Sequence, residues 1–244
     1  MRNIITYLVL NFSLISQNYA QFDFEPDKDY NSFYSNYLDD FNIESFDNEN
    51  FFELRVWINS SLYPPDLLRL VFTKDSTWIA EKFVKERRNK KSKLEKIQLS
   101  NNWIAKWDSI TKFGLLTLPD QMKVKDMWKG DMEIIAGDTI YGKIVIADGS
   151  GYTIELLTKD KQRKYSYHCP KTNRNFYKNV AELKQIVKIL EMLMSEYKYP
   201  KEICIIDDIL PPTGGILHCQ LSFKRMLNCK FDIQSKNRLL LTAT

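Results

Sequence analysis

The sequence predicts an α+β, β-rich fold of antiparallel sheet, with one strong amphipathic helix at about 180–197 and a shorter candidate helix at 101–112. Three observations carry that expectation. Phe52, Leu54, Val56 and Ile58 alternate with Glu53, Arg55, Trp57 and Asn59, the period-2 pattern of a half-buried strand. Val180, Leu183, Ile186, Val187, Leu190, Leu193, Met194 and Tyr197 instead recur at the spacing of one helix face. Between them come a run of strands, a helix and further strands, without the regular strand–helix alternation of a parallel sheet.

Residues 1–20 come first. Met1-Arg2-Asn3 gives a positive start, residues 4–15 form an apolar run broken only by Thr6, Asn11 and Ser13, and Ala20 precedes a polar stretch opening at Gln21. That is the layout of a bacterial-type signal peptide with cleavage near Ala20–Gln21. A membrane span needs about 20 apolar residues, and no later run approaches that length, so no transmembrane anchor is expected after cleavage. The protein is therefore expected to be exported, to the periplasm or beyond.

Residues 21–50 carry nine acids against Lys28 alone, a net charge of −8, mixed with eight phenylalanines and tyrosines. They read as an acidic, aromatic-containing and flexible arm, whose rings are able to pack on the rest of the chain. Residues 51–244 hold 33 lysines and arginines against 22 acids, a net of +11. They read as a single globular domain with a candidate subdivision near 85–100. The formal total of +4 hides this asymmetry, which suggests either an anionic partner or an arm that folds back on a basic body. A hydrophobic fraction of 44% supplies a core, while eight glycines and eight prolines exclude collagen-like and linker-dominated chains.

The body begins with the alternating strand at 52–59. Pro64-Pro65 ends it, and 67–73 and 77–84 follow as strands joined by Lys74-Asp75-Ser76, which suggests a meander. Residues 85–96 hold seven bases against two acids and read as an exposed hairpin tip or a linker. Trp103, Ile104, Trp107, Ile110 and Thr111 fall at helical spacing, with Gly114 as the stop. Residues 139–147 and 152–158 flank Asp148-Gly149-Ser150-Gly151, a hairpin-turn composition. A strand over 163–168 precedes the long helix, which Asn179 and Glu182 would open as a capping box.

The four cysteines, Cys169, Cys204, Cys219 and Cys229, all lie in the last third of the chain. An exported protein admits disulfides. Folding 203–223 as a hairpin about Pro211–Pro212 sets Cys204 opposite Cys219, which leaves Cys169 with Cys229 by elimination. Buried free thiols are the alternative. His168-Cys169 and His218-Cys219 lack the spacing of zinc ligands, and adjacent strand residues point to opposite faces, so no metal site is expected. No cofactor motif stands out, and no Gly-x-Ser-x-Gly elbow announces a nucleophile.

One segment invites a chemical reading. Ile203 to Gly215 runs as an apolar strand, the acids Asp207 and Asp208, and then Thr213-Gly214-Gly215. It resembles the diphosphoribosyl-binding loop of phosphoribosyltransferases. That resemblance implies Asp207 and Asp208 as ribose ligands, with Thr213, Gly214 and Gly215 cradling a phosphate through backbone N–H groups. The same segment also reads as a plain hairpin, and the two differ in whether 216–223 is a helix or a strand. Among the aromatics, Trp57 shares its phase with Glu53 and Arg55, on the expected outer face of its strand. It is the candidate for an exposed contact.

The functional expectation is an exported binding or envelope-associated module with a basic surface and no catalysis. Its expected partner is an anionic glycan, an envelope component or another protein, and nucleic acid is not expected given export. The alternative is an enzyme or ligand-binding protein that uses the Asp207–Gly215 loop for a phosphate- or ribose-containing ligand.

Overall fold

The computed structural model describes residues 22–28, 30, 34–43, 46, 50–60, 63–85, 92–125, 127, 132–135, 138–199, 204–210 and 217–218. The signal-peptide expectation for residues 1–20 lies outside them. The described helices are α1 (Ser35–Phe41), α2 (Trp103–Lys112), α3 (Pro170–Phe176) and α4 (Ala181–Glu196). The strands are β1 (Asn50–Ser60), β2 (Tyr63–Thr73), β3 (Trp78–Lys85), β4 (Ser92–Ile97), β5 (Met132–Ile135), β6 (Asp138–Tyr141), β7 (Lys143–Gly149), β8 (Gly151–Leu157), β9 (Gln162–His168), β10 (Cys204–Leu210) and β11 (Leu217–His218). The α+β, β-rich class is the one the sequence predicts.

Six strands form one antiparallel sheet in the order β4-β3-β2-β1-β8-β9. The expected three-strand meander is present as β1–β3, and β4 extends it by pairing with β3, so Lys85 and residues 92–96 of the basic stretch belong to this sheet. β2 starts earlier than Pro64-Pro65 suggested. Both prolines fall where the ladder to β1 shifts register, between Ile58↔Asp66 and Ser60↔Tyr63, a place where a missing N–H costs no regular bond. The expected hairpin around Asp148–Gly151 does not form. β7 and β8 flank Ser150, yet β7 pairs with β10 in a separate sheet and β8 pairs with β1.

One face of the large sheet carries Phe52, Leu54, Val56, Leu68, Leu70, Ile154, Leu156, Tyr165 and Tyr167, all buried against α2 and α4. Trp107 and Ile110 come from α2, and Leu183, Ile186, Ile189, Leu190 and Leu193 come from α4, matching the helical stripes read in the sequence. α4 starts one residue beyond the expected capping box. Val180 takes the N-cap position with extended backbone and no side-chain cap. At the other end Glu196 ties α4 to the approach of α2, accepting from Ser100 N at 2.9 Å and Ser100 Oγ at 2.7 Å and pairing with Lys106. Burial raises the affinity of the Glu196 carboxyl for its proton, but the bonds from Lys106 and Ser100 outweigh it and hold its pKa below the usual value.

The acidic arm is docked at its described residues instead of hanging free. Phe22 stacks on Phe52 with centroids 4.5 Å apart and lies 5.9 Å from the Trp107 ring. Phe24 is buried in the same core. The arm's acids meet bases of the body, Asp23 with Lys161 and Asp40 with Lys85.

The outer edge of β9 is covered by side chains. Lys164 N donates to Asp27 Oδ2 (2.7 Å), Ser166 N to Asp120 Oδ2 (2.9 Å) and His168 N to Gln121 Oε1 (2.6 Å). Three successive outward N–H groups are thereby satisfied, which blunts an edge that would otherwise template further strands. Arg163, Tyr165 and Tyr167 bind the carbonyls of Leu118, Leu115 and Pro119 at 2.7, 2.7 and 2.8 Å, fastening the 115–121 loop along the strand.

If Phe22 is a core residue, truncating it removes buried aromatic area and leaves a cavity. Phe22→Ala is expected to cost about 3 kcal/mol in urea unfolding of the mature chain, whereas a loose arm would give a change near zero.

Candidate functional site

The second face of the sheet is also covered, which corrects the exposed position expected for Trp57. Its indole is 0% exposed, lies 4.7 Å from the Tyr34 ring in a stacked arrangement, and has Phe41 at 6.1 Å. Trp57 Nε1 donates to Glu155 Oε2 at 2.9 Å. The arm supplies this cover through α1 and its flanks: Tyr34, Leu38, Phe41 and Ile43 form a second apolar cluster with Trp57, Leu67 and Phe83.

Beside that cluster runs a row of charges, one per strand. Register sets Lys96 opposite Glu81, Glu81 opposite Arg69, Arg69 opposite Arg55, Arg55 opposite Glu155, and Glu155 opposite Lys164. The central residues are deeply buried, Arg55 at 2% and Glu155 at 0% exposure. Two guanidiniums directly opposite each other would repel. Glu53, one pleat away, bridges them: it accepts from Arg55 Nε at 2.5 Å and from Arg69 Nε at 2.8 Å and Nη2 at 3.1 Å. Arg69 also donates to Glu81 Oε2 at 2.8 Å. Burial works against the Arg69 charge, but the two carboxylates outweigh it and push its pKa up. The row is a closed ionic network with each acid placed beside a base. Sequence alternation places Glu53 and Arg55 on one face but gives no hint that this face is inside.

Among the described residues, two concave sites lie on either side of Tyr152 at the start of β8. The larger is a groove of about 600 Å³ along α4. Val187, Leu190 and Met194 of α4, with Pro170, Tyr152 and Tyr199, give it an apolar lining, and Lys171 and Lys198 join them. The C-cap of α4 positions two of these residues. Lys198 is left-handed, φ 48°, and Tyr199 N donates back to Met194 O at 3.0 Å, the reach of a Schellman-type helix end. The Tyr199 hydroxyl bonds Asp66, and Lys82 Nζ sits 5.4 Å from the centre of its ring. Burial, followed by the hydrogen bond to Asp66 and then the Asp66 charge, pushes the Tyr199 pKa up.

The smaller site is a cleft of about 510 Å³, with Tyr152, Tyr167, Ile144 and Ile146 among its walls. Its polar residues are Asn59, Asp120, Gln121, Thr153, Ser166, His168 and Asn173. Ser166, His168 and Asp120 all line this cleft. Ser166 Oγ shares a 3.0 Å bond with Thr153 Oγ1, and the two Asp120 oxygens accept Met122 N and Ser166 N, each at 2.9 Å. The His168 ring lies 3.8 Å from Cys169 Sγ. Cys169 is fully buried, adopts a left-handed φ of 43° and precedes α3 as its N-cap.

Asp207 and Asp208 belong to β10, where the register with β7 makes Asp207 the extra residue of a bulge between Ile206↔Ile146 and Asp208↔Val145. Thr213, Gly214, Gly215, Cys219 and Cys229 lie outside the described residues. Leu217 and His218 form a strand antiparallel to β10, a pairing that the hairpin reading expects, while residues 211–216 and 219–223 lie outside the described residues. Asp208 pairs with His218 and Ile209 with Leu217; the expected facing of Cys204 and Cys219 lies outside the described residues.

Among the described residues no group of three or more His, Cys, Asp or Glu side chains is placed to hold a metal ion. No described helix is long and apolar enough to cross a membrane. No family model matches the chain, and no curated protein sequence is similar to it.

Neither cavity was marked in the sequence. Lys171 and Lys198 lie 27 residues apart, and Gln121 and Asn173 both bond the His168 backbone only because the 115–121 loop and the start of α3 lie beside the end of β9.

The bridging role of Glu53 is testable. Glu53→Gln leaves Arg55 and Arg69 facing each other without their shared anion, and is expected to cost about 3–5 kcal/mol in denaturant unfolding. A loss below 1 kcal/mol, the range of exposed pairs, would contradict the network.

Proposed function

We propose that the protein is exported, with residues 1–20 removed, and acts as a non-catalytic binding module of the cell envelope. The α4 groove receives a ligand with an apolar body and an anionic end. The groove's chemistry carries this reading. Its volume of about 600 Å³ lies within the roughly 300–1,000 Å³ of small-molecule pockets, which are mostly apolar with a few placed polar groups. Lys171 and Lys198 supply positive charge, while the acid in the lining, Glu191, lies 3.7 Å from Lys188. An anionic ligand thus meets cations at the groove and apolar side chains within it. The basic balance of residues 51–244 points the same way, since it favours approach of anions.

Decanoate and its uncharged match decanol test the groove. Decanoate is expected to bind more tightly, and Lys198→Asn, a residue that tolerates the left-handed C-cap, to weaken it about tenfold, or 1.4 kcal/mol. Met194→Trp is expected to fill the groove and remove binding of both. If neither amphiphile binds, or Met194→Trp binds as well as the parent protein, the groove reading fails.

Export has its own consequence for the cysteines. We propose that Cys169 is disulfide-bonded in the mature protein, as an oxidising compartment allows. Protein recovered from its native cells is expected to begin at Gln21 and to show fewer reactive thiols on unfolding than its four cysteines. An intact Met1 in the cytosolic fraction would remove the export proposal, and four reactive thiols would remove the disulfide.

A further inference from the structure

We infer that the polar cleft between β8, β9 and the 120–122 turn is a second binding site, for a neutral, hydroxyl-rich ligand of the saccharide class. The cleft and the α4 groove share Tyr152 as a wall but differ in chemistry. No lysine or arginine is among the described residues lining the cleft, which holds three side-chain amides, the aliphatic hydroxyls of Thr153 and Ser166, two tyrosines, one carboxylate and one imidazole.

These amides are held in place by bonds to the fold. Gln121 Oε1 accepts His168 N at 2.6 Å, Asn173 Nδ2 donates to His168 O at 2.7 Å, and Asn59 Nδ2 donates to the Tyr34 hydroxyl. An amide carries an acceptor at one end and two donors at the other. The bonds above engage one end of each, leaving the Gln121 donors and the Asn59 and Asn173 carbonyls as the complementary ends. The cleft therefore offers donors and acceptors in fixed positions, and fixed polar groups lower the ordering cost of binding.

This mixture selects for charge as well as shape. An anion would meet the Asp120 carboxylate and two amide carbonyls. A cation would meet the Gln121 N–H donors beside a carboxylate whose charge is partly offset by the N–H groups of Met122 and Ser166. A hydroxyl group donates and accepts at once and matches both kinds of partner. Apolar contact for the C–H faces of a sugar ring comes from Met122, 76% exposed, and from the buried Tyr152 and Tyr167. The volume of about 510 Å³ is that of a small-molecule site.

The test uses the mature chain and a panel of neutral sugars: glucose, N-acetylglucosamine, cellobiose and chitobiose. Glucuronate and glucosamine serve as charged controls, followed by NMR of methyl and aromatic signals. At least one neutral sugar is expected to shift the Met122 methyl saturably and to bind more tightly than either charged control. Met122→Trp, at an exposed position, is expected to weaken that sugar about tenfold with no change in melting temperature. Met194→Trp in the α4 groove is expected to leave it unchanged, so this inference stands or falls apart from the groove reading. Silence of the whole neutral panel at millimolar concentrations, equal or tighter binding of a charged control, or full affinity in Met122→Trp would overturn it.

Discussion

Everything in this fold depends on β1 being buried on both faces. A central strand with Phe52, Leu54 and Val56 on one side needs only an apolar cover. The same strand with Glu53 and Arg55 on the other needs every charge matched, because an unpaired buried ion costs several kcal/mol. Glu53 meets that demand by joining two guanidiniums that the register sets face to face. The arrangement also fixes the register. A slip of one residue would carry Glu53 and Arg55 into the Phe22–Phe52–Trp107 aromatic core and leave Leu54 among the charges. Specificity of pairing is thus tied to the charge row, while the apolar face supplies most of the burial.

Covering the second face falls to the arm, and that explains its composition. A segment with net charge −8 would repel itself in isolation, but its rings enter two different cores. Phe22 and Phe24 join the helix-covered side, while Tyr34, Leu38 and Phe41 close over Trp57. Its acids then serve as fasteners: Asp23 and Asp40 meet lysines, and Asp27 accepts a backbone N–H on the outer edge of β9. The opposite edge strand, β4, follows a different strategy, since its Lys93 and Lys96 oppose strand-to-strand association by charge.

The two cavities beside Tyr152 follow from this architecture. β8 begins at the corner where the chain changes sheets, so Tyr152 is flanked by α4 on one side and by the 115–121 strap and α3 on the other. α4 brings an apolar stripe ended by a lysine, and the strap brings amides already bonded to the backbone. One site is suited to an anionic amphiphile and the other to neutral hydroxyls.

The sequence by itself determined the elements whose signal is local. Alternation at 52–59 and the helical stripe at 180–197 are written in neighbouring residues, and so is the charge asymmetry between arm and body. The meander and both long helices were legible for the same reason. Tertiary structure alone decided which faces are inside. Period-2 alternation separates two faces without stating that the polar one is exposed, so Trp57 and Arg55 were legible as neighbours but not as buried residues. The Asp148–Gly151 turn has hairpin composition, yet the strands on its two sides find better partners in different sheets. Neither candidate site was legible, because Tyr152, Gln121, Asn173 and Lys198 come together only through long-range packing, and no local pattern records which distant segments will meet.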